Sequence, residues 1–233
     1  VPDKAYLSDE SLPQNEVSLM FSESRRHLLV VFFAFLIVFE MVAYVAREVV
    51  GSDCIVFQGQ EINLSPPWRR IPLLEAIRQA TGIDVAEHHD RDRLYAAIRA
   101  RYGEVEPQAT WAKLVDFLLS TYVEPALIEP TFLYDYPLEL SPLAKRRPDK
   151  PELVERFEGF AAGAEICNAF SELNDPLDQL ERFLSQGRAM ESGDAEAHPM
   201  DQDFLNALMY GMPPAGGLGT GVDRLTMLLT DQR

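Results

Sequence analysis

Cysteine is nearly missing from this chain of 233 residues, where Cys54 and Cys167 are the only two. No CxxC spacing exists, so neither a thiolate zinc site nor a disulfide framework is encoded, and a reducing cytoplasm is the default setting. Basic residues are scarce as well. Lys and Arg number 21 against 37 Asp and Glu, a formal charge of −16. That balance argues against a surface built mainly to neutralise phosphates. Nucleic acid, if bound, would need local basic patches or a further part of the protein. There is no P-loop, no dinucleotide fingerprint and no internal repeat. What remains, 47 % hydrophobic and 25 % charged, is the composition of a soluble globular protein with a sizeable core.

One apolar run stands out. Leu28 to Phe39 is twelve residues without a break, and MVAYVA continues it to Ala46. A membrane span needs ~20 mostly apolar residues, and Glu40 interrupts this one. A buried helix over 28–50 is therefore expected, with no membrane partner; no cleavable signal pattern precedes it. After the break at Gly51, two short strands flank Gly59. Pro72 fits the first turn of a helix that Gly82 caps. Asp90 to Arg101 and Thr110 to Tyr122 have helical spacing, and 83–122 reads as a small helical insertion. Residues 131–140 and 154–173 have the alternating, aromatic character of strands. Helices follow over 176–209, then a glycine-rich turn leading into a last helix. This order favours an α+β domain on an antiparallel sheet flanked by helices.

Three features can carry chemistry. In RFEGFAAGAEICNAFSELND, residues 156–175, Ala162–Gly163 fits a two-residue hairpin turn. Phe160 then lies opposite Glu165, and Glu158 is the diagonal neighbour of Glu165 on one face. Two carboxylates so placed repel unless a cation lies between them, which suits a hard divalent ion that bridges to phosphate. A solvent-exposed glutamate pair is the blander alternative. Asn168, Phe170 and Glu172 alternate along one strand and share a face. An amide, an aromatic wall and a carboxylate could hold a cationic amino-acid side chain. The third feature is GMPPAGGLGTGVDRLTMLLT, residues 211–230. Its glycines permit close approach to a ligand. Arg224, in the first turn of the following helix, makes best sense beside an anion such as a triphosphate.

Taken together, these segments resemble the last two active-site segments of class II lysyl-tRNA synthetases, the second containing motif 3. VAREVVG at 45–51, FQGQEINLSPPWRRIPLLEAI at 57–77 and EPTFLYDYPLELSPLAK at 129–145 follow the family's order, so the likeness spans roughly 40 to 230. It implies Glu158 and Glu165 as Mg2+ and ATP ligands, with Gly221 beside the nucleotide. Arg224 would be the catalytic cation on the ATP phosphates. Asn168, Phe170 and Glu172 would form the lysine pocket, with Gly217 and Gly219 beside the substrate. The implied reaction makes lysyl-adenylate and then charges tRNA(Lys), in a family that forms homodimers. Ser171 and Ala215–Gly216–Gly217 favour the synthetase over the related ligases that modify elongation factor P.

The chain also departs from the family pattern. Gln14–Asn15–Glu16 stands where motif 2 has arginine–asparagine–glutamate, and glutamine cannot replace a charged fork. The apolar run replaces the substrate segment after motif 2, so 1–39 is atypical; motif 1 and the anticodon-binding barrel are not recognised. The chain thus reads as a single partial catalytic domain over 1–233, ending before the family's final strand and helix and impaired in activity. A non-catalytic lysine- or nucleotide-binding paralogue and a membrane-anchored protein are the competing expectations.

Overall fold

The computed structural model describes residues 23–195 and 197–232, with side chains of the first helix from Phe35 onward. Gln14, Asn15 and Glu16 therefore lie outside the described residues. Helix α1, Glu23–Val50, covers the apolar run and starts a turn earlier than expected. Phe35, Val38, Phe39, Val42 and Ala46 are buried, whereas Ile37, Glu40 and Tyr44 are exposed. That spacing is the stripe of a helix lying on a core. Among the described residues no helix is long and apolar enough to cross a membrane.

Strands β1 (Cys54–Phe57) and β2 (Gln60–Asn63) form a separate antiparallel hairpin. The main sheet has the order β3-β4-β5-β6-β7, with β3 Arg69–Pro72, β4 Thr131–Pro137, β5 Leu153–Ala161, β6 Ala164–Ser171 and β7 Gly216–Thr220. Its pairs are antiparallel except β3 with β4, which is parallel. Pro72 both ends β3 and caps the start of the helix that follows, one residue before its first turn. It suits an edge strand because it has no N–H to donate. The glycine-rich segment also departs from expectation. It is strand β7, not a turn, and none of Gly216, Gly217, Gly219 and Gly221 has a left-handed backbone.

Helices cover both faces of the sheet. α2 (Leu73–Thr81, closed by Gly82), α3 (Arg91–Tyr102, capped by Asp90) and α4 (Trp111–Leu118, capped by Thr110) enclose one core. That core includes Ile77, Leu94, Leu114, Leu133, Tyr136, Val154 and Phe160. On the other face α1 and α7 (Val222–Thr230) pack over Phe132, Phe157, Ile166, Cys167 and Ala169. α5 (Pro176–Glu191) and α6 (Gln202–Met209) connect β6 to β7.

Two register shifts decide which residues share the α4 face. Between β5 and β6, Gly159 pairs with Cys167 but Phe160 pairs with Glu165, so Ile166 is an extra residue, a β-bulge. Ile166 and Cys167 consequently both enter the α1 core, and Glu165 and Asn168 both face α4 despite their odd spacing. Between β4 and β5 the register shifts at Asp135, whose φ is 60° and whose carboxylate is gripped by Arg147 at 2.7 and 2.6 Å. Tyr136 thereby joins Leu133 on the same face.

The β5–β6 hairpin turns through Ala162 and Gly163, with φ of 54° and 74°, the signature of a type I′ turn. A left-handed alanine is strained by roughly 1 kcal/mol. Ala162→Gly should therefore stabilise the protein by about 0.5–1 kcal/mol, read as a higher urea midpoint with unchanged slope. A loss of stability would show that packing of the alanine methyl outweighs the backbone strain.

Candidate functional site

Glu158 and Asn168 are direct cross-strand partners, and Glu165 stands opposite Phe160 one step along. Glu158 is 8 % exposed. Tyr136 donates its hydroxyl to Glu158 Oε2 at 2.6 Å, and Arg156 donates to Oε1. Burial raises the Glu158 pKa, as does the charge of Glu165, against the opposing pull of Arg156 and Tyr136. Burial, reinforced by Glu158, pushes the Tyr136 hydroxyl well above its ordinary value. This tyrosine stays protonated and acts as a donor.

Both glutamates line an open cavity of about 320 Å3. Asp116, Glu124, Glu139 and Asp194 contribute further carboxylates to it, against Lys113 and Arg156. The Glu124 pKa is raised by burial, then by Glu158, Asp116 and Glu165. The cavity thus has an excess of negative charge that a cation would relieve. Among the described residues no three His, Cys, Asp or Glu side chains enclose a metal unaided. A hard divalent ion would fit here by taking oxygens from Glu158 and Glu165 and the rest from phosphate or water.

Arg224, from the first turn of α7, donates to the Glu165 carbonyl at 2.8 Å and to its carboxylate at 3.0 Å. Gly221 donates its N–H to the bulged carbonyl of Ile166 at 2.9 Å. The bulge thus anchors the start of α7 and sets the arginine beside the glutamates. With 54 % of its side chain exposed, Arg224 can reach a phosphate without unpacking the core.

Asn168, Phe170 and Glu172 continue along this face. Phe170 is half-buried against the α4 core. Arg156 Nε donates to Asn168 Oδ1 at 3.2 Å, so the amide offers N–H groups, not a carbonyl, to a ligand. An amide held this way suits an acceptor oxygen. Glu172 is the better partner for a cation, because burial raises its pKa and its carboxylate has no hydrogen-bond partner among the described residues.

β7 forms the floor. Gly217 pairs with Phe170 and Gly219 with Asn168, and alternation puts Gly221 on the same face. A Cβ on Gly217 would come within 2.4 Å of Glu172 Oε1, so only glycine leaves that carboxylate its place. Around Gly219 and Gly221 the nearest atoms are 3.6–3.8 Å from such a Cβ, leaving a bare backbone ledge. The structure therefore brings the expected strand residues to one sheet face, sets Arg224 of α7 beside Glu165, and adds Arg156, Tyr136 and Glu124. Arg156 was legible, since it lies two residues before Glu158. Tyr136 was not, because its facing depends on the shift at Asp135.

This fold and charge pattern define a class of protein. The family model for tRNA synthetases class II (D, K and N) matches residues 34–233, and the chain belongs to that family. Among curated relatives, the lysine–tRNA ligase of Roseiflexus castenholzii is 61 % identical over 187 residues, which is 80 % of this chain and 38 % of the relative. That of Chloroflexus aurantiacus is 56 % identical over 193 residues, covering 83 % and 39 %. The lysine–tRNA ligase of Carboxydothermus hydrogenoformans is 53 % identical over 193 residues, covering 83 % and 40 %. The chain spans about two-fifths of the length of the relatives it matches.

Proposed function

We propose that this chain is part of the catalytic domain of a lysine–tRNA ligase acting in the cytoplasm, with 83–122 as a helical insertion. In this reading the lysine carboxylate displaces pyrophosphate from the α-phosphate of ATP to give lysyl-adenylate, and the lysyl group then passes to tRNA with release of AMP in the complete, dimeric enzyme. The observation that carries it is the bulge at Ile166, which gathers Glu158, Glu165 and Asn168 on one face beside Arg224 and the glycine ledge. Mg2+, when bound by Glu158 and Glu165, would neutralise and orient the phosphates. Arg224 would exchange Glu165 for phosphate oxygen. Gly217, Gly219 and Gly221 would let the nucleotide lie flat on the strand. Glu172 would take the ammonium of lysine, and Phe170 would exclude water behind its methylenes. Such catalysis rests on positioning and charge rather than on a protein nucleophile.

Calorimetric titration with lysine, and separately with ATP and Mg2+, tests the reading. Binding of each is expected, together with pyrophosphate exchange about 10²–10³ slower than a family enzyme because Gln14 replaces a charged donor. Absence of lysine binding would refute the lysine pocket. Exchange at a family rate would show that another arginine serves in place of the motif 2 residue.

A further inference from the structure

We propose that Arg156 is a positioning residue of this site, fixing Asn168 with both amide hydrogens turned toward the ligand. The proposal rests on the lysine and ATP reading above. Arg156 stands on β5 opposite Phe170 and beside the Glu158–Asn168 pair. Besides Asn168 Oδ1 and Glu158, it donates to the Leu140 carbonyl at 3.0 Å and to Ser141 Oγ at 2.8 Å. Its guanidinium carbon lies 4.6 Å from the centre of the Tyr136 ring.

A guanidinium has five N–H donors and no acceptor, so it can meet only the carbonyl end of the amide. Turning Asn168 over would set donor against donor. The ring stack and the two contacts at 140–141 hold the fork in plane, so it cannot swing away with the amide. One side chain thus ties β5, β6 and the 138–141 turn together and decides which chemical groups Asn168 can read. A lysine ammonium at the same place would be a point charge. It could serve Glu158 but would not span both partners.

The experiment uses Arg156→Met and Arg156→Lys in the whole chain. The 15N side-chain amide signal of Asn168, assigned by its loss in Asn168→Asp, reports the hold on the amide without any ligand. Expected is a dispersed amide pair in the parent protein that collapses toward exposed-asparagine shifts in both variants. Lysine affinity should fall about tenfold or more in both, as for loss of an oriented hydrogen bond to a charged group. Arg156→Lys keeps the charge and most of the length, so it serves should the methionine variant not fold. An amide pair unchanged in either variant overturns the proposal. So does full recovery of lysine affinity in Arg156→Lys, which would make charge alone sufficient. A parent protein that binds no lysine, yet loses the amide pair on substitution, supports the hold on Asn168 and refutes the lysine pocket.

Discussion

Phe132→Ala is expected to lower stability by about 3–5 kcal/mol, the range for deleting a fully buried aromatic ring. Phe132 is fully buried in the α1 core. Its ring centre lies 4.7 Å from Phe35, 5.0 Å from Trp68, 5.2 Å from Phe157 and 6.5 Å from Phe39. It pairs across the sheet with Gly159, where a Cβ would come within 3.0 Å of the Phe132 ring and 2.6 Å of Cys167 Sγ. The missing side chain at 159 is thus the space that the ring and the bulged strand share. Deleting the ring opens a cavity at the junction of α1 with the sheet, so amide exchange in α1 should accelerate with the global loss. Urea unfolding gives the magnitude. A loss below about 1 kcal/mol would mean that α1 does not rest on this cluster.

Arg224→Gln is expected to move two affinities in opposite directions. ATP binding should weaken about a hundredfold, because glutamine has neither the charge nor the fork that meets a phosphate. Binding of free Mn2+, a paramagnetic substitute for Mg2+, should strengthen by up to about fivefold, the worth of an exposed ion pair. Arg224 occupies the Glu165 carboxylate, so a metal must displace it unless a phosphate draws it away. Metal and nucleotide should therefore bind together better than either binds alone. Titrations of Mn2+ with and without nucleotide measure both effects. Equal Mn2+ affinity in parent and variant would show that the ion pair does not compete with the metal.

Much of the fold was legible wherever local chemistry decides it. Asp90, Thr110 and Gly82 mark helix ends because their side chains, or the lack of one, satisfy the terminal backbone groups. Ala162–Gly163 set the hairpin register, and Glu165 and Asn168, three residues apart, can share a face only across a bulge. Illegible were the features fixed by distant partners. β3 is four residues long and pairs in parallel with a strand some sixty residues away. β7 has almost no strand-forming side chains and exists because β6 supplies its ladder. The outward turn of the Asn168 amide depended on Arg156, twelve residues earlier.

The bulge at Ile166 also determines where β6 can change length. Losing Ile166 would restore simple alternation and leave Glu165 and Asn168 facing as they do, whereas losing Ala169 would turn Phe170 and Glu172 over. Such freedom has a mechanical limit. The carbonyls of Glu165 and Ile166 are the two pegs on which α7 hangs, through Arg224 and Gly221. A shortened strand would keep every side chain on its proper side and still unhook the helix that carries Arg224.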